Sequence, residues 1–127
     1  MQFKQVTIIR HTANFDDMLA FYRDQLGLHV IEAWDEPNNR GAVLALAGAD
    51  DAARVEVLDL NDLAVPDTPP ANLNINLYVD DAVAWHDELA TRGVAIARGL
   101  EDAPWGMRSF GIDDPDGLRI WLQQRLD

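Results

Sequence analysis

Apolar and polar positions alternate along FKQVTIIRHT, residues 3–12, a period of two that with its branched residues predicts a strand. The period lengthens at NFDDMLAFYRDQLG. Phe15, Met18, Leu19, Tyr22 and Leu26 fall on one face of a helix, with Asn14 as N-cap, Asp16 and Asp17 in the first turn and Gly27 at the stop. Three strands should follow: LHVIEAWDE, GAVLALAG and ARVEVLDL, with a turn from Pro37 to Arg40 after the first. The segment NDLAVPDTPPANLN holds three of the six prolines and is the natural linker.

Beyond that linker the pattern restarts. LNINLYV predicts a strand, and DDAVAWHDELATRG a helix with an aspartate cap, an apolar stripe through Trp85 and Leu89, and a stop at Gly93. VAIARGL, MRSFGID and LRIWLQQ predict three more strands, the last two joined by the turn DPDG. Superposing Thr7 on Asn74 aligns the opening strands, places Asn14 on Asp81 and brings the two helix-ending glycines within one residue. The expected class is α+β, with two tandem βαβββ modules (1–63 and 72–127, linker 64–71) in one domain over 1–127. Their mixed, curled sheets should enclose a cavity, a common setting for a ligand.

Bulk properties narrow the function. The formal charge of −12 argues against nucleic acid and anionic membrane surfaces, and favours encounter with cationic small molecules over a merely solubilising role only if a site exists to receive them. No apolar run is long enough to span a bilayer and no secretory signal opens the chain, so a cytoplasmic location is expected. The absence of cysteine removes disulfides, thiolate zinc sites and cysteine nucleophiles. No phosphate loop, nucleophile elbow or dinucleotide fingerprint is present; GLEDAPWG lacks the glycine spacing. The histidines, His11, His29 and His86, show no paired metal-ligand spacing.

The stretches LAFYRDQLGL, VDDAVAWHDELATRGV, PWGMRSF and DPDGLRIWL, in this order, resemble the vicinal oxygen chelate superfamily, which holds glyoxalase I, bleomycin-resistance proteins and extradiol dioxygenases. Metal-using members of that superfamily take His or Glu ligands from the first and last strand of each module. Carried over residue by residue, the resemblance implies Thr7 and Asn74 on the opening strands, Glu56 on the last strand of module one, and Trp121 four residues after Gly117. Only Glu56 is a ligand-type residue. A divalent ion needs several anionic or imidazole donors, and an indole supplies none. The resemblance is therefore closest to the metal-free, bleomycin-resistance-like binding branch, with no cofactor expected.

On the same strand parity the inner faces should present Thr7, Ile9 and His11; Arg54, Glu56 and Leu58; Asn74, Asn76 and Tyr78; and Arg119, Trp121 and Gln123. Trp34 and Trp105 are candidates to close over a flat ligand, against a packing role. Trp85 reads as core. The expected partner is a small aromatic ligand, with positive charge favoured by Glu56 among rings; the family also implies a homodimer. Binding competes with two alternatives: a lyase, isomerase or dioxygenase with an atypical metal set, or a catalyst using His11 or Glu56 as base. A structural or regulatory module with a self-filled cavity is a further alternative.

Overall fold

The computed structural model describes residues 1–47, 52–60 and 68–127. The chain divides into two compact units, Met1–Asp67 and Thr68–Asp127. Module one contains β1 (Val6–Thr12), α1 (Phe15–Ala20), β2 (Val30–Glu36), β3 (Asn39–Ala47) and β4 (Ala53–Asp59). Module two contains β5 (Asn74–Tyr78), α2 (Ala82–Thr91), β6 (Arg98–Ala103), β7 (Met107–Asp113) and β8 (Arg119–Arg125). The sheet orders are β1-β4-β3-β2 and β5-β8-β7-β6. In each module the first strand runs parallel to the last and the other neighbours are antiparallel. The fold is thus α+β with a repeated βαβββ module. The expected linker over 64–71 and the end of module one at 63 fall largely outside the described residues, as does Gly48 at the end of GAVLALAG.

Each sheet has one face sealed by a helix. In module one, Ala42, Leu44, Val55 and Val57 share that face and are fully buried, with Met18 and Tyr22 from the helical segment also at zero exposure. In module two the counterparts are Phe110, Ile112, Ile120 and Leu122, with Leu89 from α2. Apolar burial of these side chains supplies the main stabilisation of each module.

Several expectations change in the structure. The first helix does not continue as an α-helix: from Phe21 to Gln25 it becomes a π turn, with the Leu26 amide donating to the Phe21 carbonyl at 2.9 Å. The extra residue per turn brings both Phe21 and Tyr22 into the core, whereas a strict 3.6-residue period omits Phe21 and includes Leu19, which is only half-buried. Asn14 occupies the cap position but its side chain makes no cap bond; its own amide donates to Thr12 Oγ1 at 2.9 Å. Asp81 does cap α2, accepting from the Ala84 amide at 3.0 Å. The Pro37–Arg40 turn contracts to Pro37 and Asn38, because Asn38 adopts φ 58° and lets Asn39 pair directly with Glu36.

The strand expected in VAIARGL is displaced to Arg98–Ala103. Its apolar start belongs to the helix end instead. Gly93 (φ 86°) donates to the Ala90 carbonyl and Val94 to the Leu89 carbonyl, a Schellman motif in which buried Val94 meets the buried Leu89 turn. The strand that follows is a polar, exposed edge, which apolar alternation does not reveal.

Candidate functional site

The other face of each sheet is not covered by a helix of its module, and strand register decides what it presents. In module one, Thr7, Ile9 and His11 pair with Arg54, Glu56 and Leu58 along the parallel β1–β4 ladder. Leu58 and Glu56 pair in turn with Gly41 and Val43, and these with Trp34 and Glu32. A recess of about 320 Å³ lies on this face, lined by Glu32, Trp34, Glu36, Asn39, Val43, Arg54 and Glu56. Three carboxylates face one guanidinium, so its field favours cations. The Trp34 indole N–H donates to Asn39 Oδ1 at 2.9 Å, and Arg54 Nε donates to the Thr7 hydroxyl at 3.2 Å.

Module two builds the corresponding face from Asn74, Asn76 and Tyr78, paired with Arg119, Trp121 and Gln123 on β8. Trp121 stands directly opposite Gly111 on β7. A cavity of about 590 Å³ is lined by Asn74, Asn76, Glu101, Ala103, Pro104, Trp105, Met107, Ser109, Trp121 and Gln123. Trp105 is 78 % exposed on the three-residue hairpin loop between β6 and β7. That loop closes with Gly106 at φ 85°, its amide donating to the Ala103 carbonyl at 3.1 Å. The cavity therefore joins two indoles, a thioether and several amides: stacking surface with donors and acceptors around it.

The expected site residues divide into groups. Trp34 and Glu56 meet in the module-one recess, and Asn74, Asn76, Trp105 and Trp121 meet in the module-two cavity. Thr7 is engaged by Arg54, which lines the recess. Ile9 is exposed on β1 beside Glu56, and His11 is half-buried opposite Leu58, its Nδ1 enclosed and without a hydrogen-bond partner among the described residues. Tyr78 is exposed and carries the Arg125 guanidinium 4.3 Å from its ring centroid. Arg119 is held by the Asp113 carboxylate, which raises its pKa above the ordinary guanidinium value chiefly through the hydrogen bond. Its guanidinium also lies 5.3 Å from the Trp121 ring centroid. Trp85 is half-buried on α2, where His86 makes an edge contact with Phe110 at 5.3 Å.

Sequence reasoning missed Glu32, Glu36 and Asn39 in module one, and Glu101, Met107 and Ser109 in module two. The signal was available for most of them. Glu32 and Glu36 flank Trp34 at i±2, and Ser109 and Met107 keep the parity of Gly111.

The four positions at which metal-using relatives carry ligands do not fit a divalent ion. Thr7 is bonded to a guanidinium, Asn74 is an amide, Glu56 shares its recess with Arg54, and Trp121 lies against Gly111. Among the described residues no three His, Asp or Glu side chains converge as a ligand set. No helix among them is long and apolar enough to cross a membrane.

The chain is similar in fold and sequence to solved structures. TnmS3, an antibiotic binding protein from Streptomyces sp. CB03234, is 26% identical, with 98% of this chain and 96% of that chain covered and a TM-score of 0.73. A glyoxalase/bleomycin resistance protein from the same organism is 27% identical, covering 94% and 99%, with a TM-score of 0.70. A superfamily member from Sphaerobacter thermophilus is 26% identical over 98% of both chains, with a TM-score of 0.72. Lactoylglutathione lyase from Agrobacterium tumefaciens, at 18% identity and TM-score 0.67, over 94% of this chain and 91% of that one, shares the fold. A search of curated proteins finds no match. The model of the Glyoxalase/Bleomycin resistance protein/Dioxygenase superfamily matches residues 4–122, and the chain belongs to that family.

Proposed function

We propose that this protein is a metal-free binding protein that sequesters a small aromatic molecule, with cationic ligands favoured. The observation that carries the reading is the module-two cavity, where Trp121 and Trp105 line one open volume together with Asn74, Asn76 and Gln123. Indole faces stack on planar rings, and amides supply orienting hydrogen bonds. Glu101 in that cavity, and the three glutamates of the module-one recess, supply attraction for positive charge. The likeness to an antibiotic binding protein supports the same reading, with an antibiotic or a related metabolite as ligand. The open volume on both faces supports a ligand site over a self-filled module.

The test is a titration of N-methylquinolinium, a planar aromatic cation, against intrinsic tryptophan fluorescence. Saturable quenching is expected, with affinity lowered about tenfold in Trp121→Ala, the scale of one aromatic stacking contact. An unchanged emission across the titration would sink the reading. Elemental analysis of protein purified without chelator addresses the metal-dependent alternative: a stoichiometric metal that disappears in Glu56→Gln would overturn the metal-free assignment.

A second reading, acid–base catalysis at His11, is supported by its enclosed, unpartnered Nδ1. It requires that His11→Gln abolish turnover of a bound ligand while leaving binding intact. We further read the two units as halves of one cytoplasmic domain joined at 64–71, and as forming a homodimer. Each four-stranded sheet ends in strands paired on one side only, β1 and β2 or β5 and β6, which gives a physical motive for pairing. Light scattering at the mass of one chain would refute the dimer.

A further inference from the structure

Gly111 is fully paired in the sheet and buried, and the group that buries it is an indole. A methyl group placed on Gly111 would come within 3.0 Å of Trp121 Cζ3 and 3.2 Å of Cε3, and within 3.2 Å of Arg119 Cδ. The benzo half of Trp121 therefore lies down across the β7 backbone. Arg119 packs along the same notch, with its head group held by Asp113 and turned towards the Trp121 ring. Glycine is the one residue whose lack of a side chain permits this approach. The opposite side of the indole faces the cavity that also contains Trp105, Met107 and Ser109.

We propose that Gly111 is the specificity-determining position of the module-two cavity: it seats Trp121 flat on the sheet, so that the cavity floor selects planar rings over saturated, puckered ones. Asp113 and Arg119 act as positioning residues that fix the edge of the indole. The proposal rests on the binding function proposed above and deepens it, because it names the geometry of the ligand class. A flat floor gives full stacking contact to a planar ring. A puckered ring touches the same floor through a few hydrogens and loses much of that dispersion attraction. Adding a side chain at position 111 forces the indole to give by a few tenths of an ångström or more, which tilts the floor.

The experiment has a ligand-free arm and a ligand arm. In the free protein, the Gly111 Hα resonance should be shifted upfield by the Trp121 ring current and return to an ordinary position in Trp121→Leu. A normal Hα shift in the parent protein overturns the proposal whatever the protein binds. In the ligand arm, N-methylquinolinium is compared with N-methyldecahydroquinolinium, which has the same charge and skeleton but is puckered. The parent should prefer the planar cation by about tenfold, the scale of an aromatic stacking contact. Gly111→Ala should reduce that ratio and Gly111→Val should bring it near one. Gly111→Ala combined with Trp121→Phe, whose smaller ring can lie flat again, should recover part of it and so controls for misfolding. If Gly111→Val folds and keeps the planar preference, the seating role is wrong while the binding function stands. If the parent binds neither cation although the ring-current shift is present, the ligand class fails and this proposal fails with it.

Discussion

Gly41 and Gly111 each stand opposite a tryptophan across an antiparallel ladder, Trp34 in module one and Trp121 in module two. The two sites differ in how much room remains. A methyl group on Gly41 would lie 2.7 Å from Trp34 Cε2 and 2.8 Å from Leu58 Cδ2, so two side chains must move at once. Gly41→Ala should therefore cost about 1–3 kcal/mol, the usual range for overpacking, seen as a lower urea midpoint. Gly111→Ala should cost less, since the clearance there is larger; an equal or greater loss would show that Gly41 is not the tighter seat. Face assignment at this scale was legible in the sequence. Counting in twos from Thr7, Glu56, Asn74 and Trp121 puts each on the open face, because pairing preserves the face of every partner. Which of those residues converge was not legible. Tyr78 is drawn to Arg125 and Arg119 to Asp113, partners that strand parity alone does not reveal.

Helix ends show where local chemistry outruns composition. Asp81 accepts a bond from the third residue of its helix, so Asp81→Ala should destabilise by about 1 kcal/mol. Asn14 looks equally suited but makes no such bond, and Asn14→Ala should change stability by only about a few tenths of that. Thr12 does that work instead, fully buried and accepting from the Asn14 amide, so Thr12→Val should be the costly change at this end. Chemical denaturation of the three variants checks the order, and a large loss in Asn14→Ala alone would reverse it. Strand β6 was the element least legible, since its apolar neighbours serve the preceding helix cap. Its register is held on the outside by Arg108, which grips the Asp102 carboxylate with two bonds at 2.7 and 3.0 Å. That hydrogen bonding holds the Asp102 pKa below the ordinary aspartate value. The sign follows: a carboxylate depressed in the folded state contributes fully above its unfolded pKa and loses that contribution as pH falls through the folded one. Amide exchange along β6 should therefore accelerate selectively below the ordinary aspartate range. In Asp102→Asn the acceleration should already be present near neutral pH, and β6 exchange that is flat with pH in the parent would refute the role.

The repeat is the feature of the whole molecule that the sequence shows best. One offset, Thr7 onto Asn74, predicts that β1 and β5 open the modules, and the two sheets have the same strand order. The repeat does not predict that the two open faces differ in chemistry. Module one offers Glu32, Glu36 and Glu56 with a single Arg54, whereas module two offers indoles and amides with a single Glu101. Superposed on both is a net formal charge of −12. A cation should therefore be drawn to the protein by a long-range field as well as by contact, and only the first of these is screened by salt. The Debye length falls from about 30 Å at 0.01 M salt to about 8 Å at 0.15 M, which removes most of the attraction from charges outside the site. Binding of N-methylquinolinium should weaken several-fold over that range, chiefly through a slower association rate, whereas neutral quinoline should bind with little salt dependence. Stacking on Trp121 is common to both probes, so their difference isolates the charge contribution. Equal salt dependence for the two, or tighter cation binding at high salt, would show that the acidic balance does not reach the site.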